Sequence, residues 1–320
     1  MSWFGAEING PLVLTRAIHF AASATTAGAV MFRLFVAEPA LRTSPGGRVI
    51  LQSRMAALTW IGLAIAAVTG LAWFVLQTMS ITGLGGGEAI RSGAILTVAN
   101  DTQFGFVSEV RAALALLLMA CLLLSRFVVS RWLALAAASG LVGAIAWTGH
   151  AGSTLGELGI LHLAADVLHL GAASAWIGGL FGLSILFAVG RYRPALEWEQ
   201  LQLDAVLRFS TLGMISVAAL ILSGIVNAWI LVGSFRALLV SDYGQLLLLK
   251  LLVFAVMVGF AAINRFRLTP QLALVAKAET HTDALSALTR NTLIEIALGL
   301  AIFAVVGVLG TLHPAIHLAN

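Results

Sequence analysis

The sequence predicts an all-α polytopic membrane protein of eight transmembrane helices, built as two parallel four-helix repeats. Three observations predict it: an extreme composition, eight long apolar segments, and a set of residues that recurs in the same order in both halves. Of 320 residues, 60% are hydrophobic and 10% charged, with a mean hydropathy of +1.00. Water-soluble domains carry about 25% charged residues. A spanning helix needs about 20 apolar residues. Eight segments qualify: Pro11–Val36, Arg54–Thr78, Phe104–Phe127, Arg131–His150, Gly159–Val189, Ala205–Val232, Tyr243–Phe266 and Asn291–Leu312. Strand-like alternation is absent, which argues against a β-barrel.

Each segment carries its own signals. The first begins at Pro11, a residue tolerated in the first turn of a helix, and holds His19 and Gly28. It lacks a basic leading region and a small-residue cleavage site, so it reads as a retained span and not a signal peptide. The second holds Thr69, Gly70 and Trp73, and the third begins near Arg111 and ends at Arg126-Phe127. The fourth ends at Thr148-Gly149-His150. The fifth is the longest and is expected to tilt or to emerge from the bilayer. The sixth, seventh and eighth hold Ser223-Gly224, Lys250 with Arg265-Phe266, and Thr311-Leu312-His313.

Basic residues assign the topology. Five of the 18 Lys and Arg (Arg16, Arg91, Arg111, Arg236 and Lys250) fall on one side, and the remainder on the other. By the positive-inside rule both termini of this multi-pass chain then lie outside the cytoplasm. The net charge of +4 resides in loops and is no nucleic-acid signature. The single Cys121 excludes internal disulfides and any paired-cysteine metal motif, and reads as a buried structural thiol.

The duplication is ordered. His19 precedes Gly28 by nine residues, and His169 precedes Gly178 by nine. Arg54 precedes Thr69-Gly70 by 15 and 16 residues, as Arg208 precedes Ser223-Gly224. Arg111 and Arg126 are 15 apart, as are Lys250 and Arg265. The halves are assigned to residues 1–152 and 153–320. Four helices per half is an even number, so both enter the membrane in the same sense, about an axis along its normal.

Ionisable residues inside a span are costly and are functional candidates by default. Six of the seven histidines (19, 150, 162, 169, 313 and 317) fall in the outer half or just beyond it, and His281 lies on the inner side. His162, Asp166 and His169 stand at i, i+4 and i+7 on one helical face. The carboxylate there is a ligand or an acceptor that fixes an imidazole tautomer. The candidate metal ligands are His19, His150, His169 and His313, with His162 and Asp166 as an entry or supporting pair. Imidazole suits Cu, Zn, Fe and Ni. Arg16, Arg111 and Lys250 are outer cations that hold an anion such as a porphyrin propionate, pair with Glu109 and Asp166, or snorkel to headgroups. Asn264 and Glu295 read as ordinary polar residues at helix ends.

The second half resembles a known family. Arg208-Phe209-Ser210, Ser223-Gly224-Ile225-Val226-Asn227-Ala228-Trp229, Gly244 to Lys250 and Asn264 to Pro270, together with Asp166-Val167-Leu168-His169 and Ala175 to Gly179, are similar to the copper-resistance protein D (CopD) family. These blocks cover roughly residues 160–315; the first half is similar to the family's more variable N-terminal helices. The resemblance implies a bacterial inner-membrane protein that handles periplasmic copper, accepts it from a separate CopC-like donor and passes it inward. The chain departs from the family in lacking an outer methionine-rich stretch. No phosphate-loop motif is present, so any transport is passive or coupled to an ion or partner. No hydrolase constellation stands out, and an enzyme is not expected.

A second reading is a bis-histidine b-type cytochrome, with one heme per four-helix unit held by the same four histidines. Against it, His19 lies about 12 Å along its helix while His150 is near a helix end.

Overall fold

The computed structural model describes residues 9–43, 47–192, 196–275 and 282–318. Among these, eight helices are long and apolar enough to cross a membrane. Spans 1 to 4 are Gly10–Arg42, Arg48–Thr82, Gln103–Leu123 and Val128–Thr148. Spans 5 to 8 are Gly156–Arg191, Trp198–Val232, Asp242–Leu274 and Asp283–Leu309. No strand occurs among the described residues.

Spans 1 and 5 form the centre: 72% and 67% of their most apolar stretches are buried, against 11% for span 7. Each lies against the span that follows it, against the other, and against spans 4 and 8. Span 3 packs on span 4 and span 7 on span 8. Small residues let the two central helices approach. A Cβ built on Gly28 would collide with the Ser174 carbonyl and with Gly178 Cα, and one on Gly178 would collide with Gly28. Such backbone contact is what small residues provide between membrane helices. Around it, Phe20, Phe32, Trp73, Trp176, Phe187 and Phe209 fill one continuous core. Helices whose outer faces meet lipid keep large apolar side chains exposed there, as Leu71, Ile225 and Leu252 do.

Two spans widen into a π turn, at Arg33–Ala37 and Asn264–Leu268. Each turn is followed two residues later by a proline, Pro39 or Pro270. A proline inside a helix lacks the N–H and clashes with the carbonyl four residues back. Widening the preceding turn removes that clash. The Asn264 carbonyl accepts both the Thr269 N–H across the π turn and the Thr269 hydroxyl at 2.7 Å.

The helices are longer than the apolar segments alone predict. Span 2 starts at Arg48 instead of Arg54, span 6 reaches back to Leu196, and the eighth helix begins at Thr282 instead of Asn291. Span 4 ends earlier as an α-helix, at Gly143, and runs on as a tighter 3-10 turn, Ala144–Thr148, so His150 opens a separate short helix.

Candidate functional site

One end of the bundle collects histidines; the other collects arginines. At the arginine end, Glu38 accepts from Arg33 at 3.0 Å and from Arg131 at 3.2 Å, which ties span 1 to span 4. Arg265 donates to Ser210 at 2.5 Å.

At the histidine end, three imidazoles share one arrangement. His19 Nδ1 lies 3.0 Å from Thr69 Oγ1, and that hydroxyl also bonds the Ile65 carbonyl at 2.6 Å. His169 Nδ1 lies 3.0 Å from Ser223 Oγ, which bonds the Ala219 carbonyl at 2.6 Å. His162 Nδ1 lies 2.8 Å from Thr154 Oγ1, which bonds the His150 carbonyl at 3.1 Å. A hydroxyl has one proton. It is donated to the carbonyl, so the oxygen accepts from the ring and Nδ1 carries the hydrogen. The network thereby assigns Nε2 as the lone-pair nitrogen in all three rings, the form in which imidazole binds a metal.

The surroundings of those Nε2 atoms differ. His19 is buried at 3% exposure, and its Nε2 accepts from the Arg111 guanidinium. Its ring packs 5.4 Å from Trp73, and Gly70 lies alongside it. His169 is half-buried beside Gly224, with Lys250 within electrostatic reach. Asp166 accepts from Asn227 at 3.2 Å and faces Lys250 and Tyr243. His162, 1% exposed, approaches His150, whose ring lies 6.0 Å from that of Tyr243.

The structure therefore brings His150 to His162, and sets Asp166 and His169 along the face that continues from them. It does not bring His19 to His150, and His313 is exposed. His281, and the side chain of His317, lie outside the described residues. No group of three or more His, Cys, Asp or Glu converges among the described residues. Glu109 is exposed and forms none of the described ion pairs. The heme arrangement gains no support: both ring nitrogens of His19 are engaged by protein, and the axial pair His169 and His313 would join a half-buried ring to an exposed one.

One polar group differs from its sequence reading. Glu295 is no helix-end residue; it is 2% exposed and accepts from Asn264 at 2.7 Å and from the Trp176 indole. Asn291 donates to Asn264 at 2.8 Å and closes the network. The carboxylate lies at the wall of a cavity of about 340 Å³ lined by Phe209, Met214, Val217, Arg265 and Thr292. The sequence signal nearby is Pro270; the π turn before it, of a kind that gathers at functional positions, shows only in the folded chain.

Comparison with known proteins covers both halves. Residues 203–309 match the family model described as copper resistance protein D, and residues 7–160 match that of the copper resistance protein D-like N-terminal domain. The chain is 31% identical over 171 residues to copper resistance protein D of Pseudomonas syringae pv. tomato, a match covering 53% of this chain and 55% of that one. It is 26% identical over 302 residues to inner membrane protein YebZ of Escherichia coli K12, covering 94% and 98%. It is 31% identical over 273 residues to copper transport protein CutJ of Bacillus subtilis 168, covering 81% and 47%. The matches thus span about half the length of the Pseudomonas and Bacillus relatives. No solved structure matches. With both halves matched in order, on a bundle of eight membrane-length helices, the chain belongs to the copper resistance protein D family.

Proposed function

We propose that this chain is a multi-pass inner-membrane protein, non-enzymatic, that accepts copper at its histidine end and moves it inward along span 5. The observation that carries this reading is the common tautomer of His162 and His169, each with Nδ1 held by a hydroxyl and Nε2 left as the basic nitrogen. The two lie seven residues apart, about 10 Å along the helix, so they serve two stations and not one. The outer station is His162 with His150; the inner is His169 with Asp166. Two donors hold copper less tightly than a closed cage of four, which suits a site that must release its ion. The histidine end faces the periplasm, with both termini there, and a separate periplasmic copper-binding protein of the CopC kind is the donor. The names of the Pseudomonas and Bacillus relatives support copper as the cargo, and that of the Escherichia relative supports the membrane.

Copper titration of the purified chain tests this. His162→Ala and His169→Ala are expected to weaken binding at least tenfold, and His313→Ala and His281→Ala to leave it unchanged. Equal copper binding in all four variants would overturn the assignment. A spectrum of the purified protein before and after dithionite tests the cytochrome reading: no Soret band is expected, and one that sharpens on reduction would replace copper with heme.

A further inference from the structure

Arg16, Arg111 and Trp73 pack together inside the bundle at the histidine end, and each keeps one unpartnered N–H. Their exposures are 7%, 6% and 2%. Both guanidinium carbons lie over the Trp73 indole, 5.4 and 5.5 Å from its centroid. Arg16 also lies 5.7 Å from the Phe20 ring and abuts Gly310, just past span 8. Arg111 reaches His19. The Nε of each arginine and the indole Nε1 have no hydrogen-bond acceptor among the described residues. The ion pairs among the described residues lie elsewhere, on Arg33, Arg131 and Arg208.

Arginine stays charged in proteins. Two guanidiniums withdrawn from water each lose their hydration. A shared indole face offsets only part of that. The arrangement is complete once a negative group stands against the three N–H donors. Guanidinium forks match the oxygens of phosphate in geometry as well as charge. Arg16 lies six residues into span 1, about 9 Å from its start, within reach of the headgroup layer.

We infer that Arg16, Arg111 and Trp73 form a binding site for a phosphate-type oxyanion, taken as free phosphate or as the headgroup of an anionic phospholipid. The site shares no residue with the copper stations and stands without them.

The test uses the full chain, delipidated in a neutral maltoside detergent and phosphate-free buffer. Inorganic phosphate and short-chain phosphatidylglycerol are titrated separately while the melting temperature is followed. A saturable rise is expected with at least one probe. Phosphate acting alone identifies the free ion, and phosphatidylglycerol acting alone identifies the headgroup. Arg16→Lys and Arg111→Lys, which keep charge but lose the fork, are expected to weaken the response at least tenfold; Arg208→Lys, on the surface, should retain it. Should either buried variant fail to fold, Trp73→Phe removes one donor and is expected to weaken the same response. Copper titration of Arg111→Lys should match the parent, which separates this site from the copper reading. A melting temperature that neither probe moves overturns the inference, as does a response that the lysine variants preserve. Glu7 lies outside the described residues; a loss of stability in Glu7→Gln equal to that of Arg16→Lys, with both probes inert, would assign the counter-charge to the chain itself.

Discussion

Gly28 and Gly178 meet backbone to backbone where spans 1 and 5 cross. A Cβ on Gly28 would stand 2.6 Å from Gly178 Cα, and the reverse distance is 2.5 Å. Neither neighbour is the flexible end of a side chain, so relief requires the helices to part. Gly28→Ala or Gly178→Ala is expected to cost about 1–3 kcal/mol. Gly171→Ala on the same helix, with nothing within 4 Å, should be neutral or slightly stabilising. Unfolding curves in detergent check the contrast.

Ser223 fixes the tautomer of His169. Ser223→Ala removes the acceptor for Nδ1–H and is expected to lower copper affinity about tenfold, within the range for lost supporting hydrogen bonds. Ser223→Thr should restore it. Thr69→Val, acting on His19 whose Nε2 faces Arg111, should leave copper affinity unchanged. Titration of the three variants side by side decides the matter, and a loss in Thr69→Val equal to that in Ser223→Ala would return His19 to the ligand set.

Glu295 accepts two hydrogen bonds, and an amide oxygen can accept the same two. Glu295→Gln, which keeps an acceptor, is therefore expected to cost less than the loss of the acceptor altogether. Glu295→Leu strands the Asn264 amide in the interior, at about 1–3 kcal/mol. Thermal melts of the pair check this; equal melting temperatures would show that the Asn264 network adds no stability.

Glu38 joins Arg33 and Arg131 at 17% exposure of its own side chain. Glu38→Gln is expected to cost about 1 kcal/mol in low salt. Part of that difference should vanish in 1 M salt, where the screening length falls to about 3 Å. Melting temperatures at the two ionic strengths provide the measurement.

The eight spans were legible because hydropathy over a membrane's thickness is a property of segments and not of contacts. The histidines, Thr69-Gly70 and Ser223-Gly224 were legible as recurring marks. Their pairing was not, because two helices touch through faces set by rotation and tilt, which spacing within each helix leaves open. His313 reads as a ligand because it closes the second half as His150 closes the first, yet the chain turns there and leaves it exposed. Glu295 was misread through a boundary error. The polar stretch before Asn291 hides nine further residues of helix, so a residue expected in the first turn lies 13 residues in, about 20 Å along the axis. The sequence shows Arg16 and Arg111 as outer cations, but only the folded chain places both on one indole.

The two prolines beyond the π turns act as phase keepers. A π turn holds one residue more than the α-helical turn it replaces, and one residue is about 100° of rotation about the axis. Were Pro39 replaced by alanine and the turn to relax, the helix beyond it would rotate and swing Glu38 away from Arg131. The same slip at Pro270 would turn Leu272 out of the core. In a lineage of such proteins, a lost proline and a one-residue deletion a few positions upstream would be expected to travel together, since either alone leaves the far segment facing the wrong way.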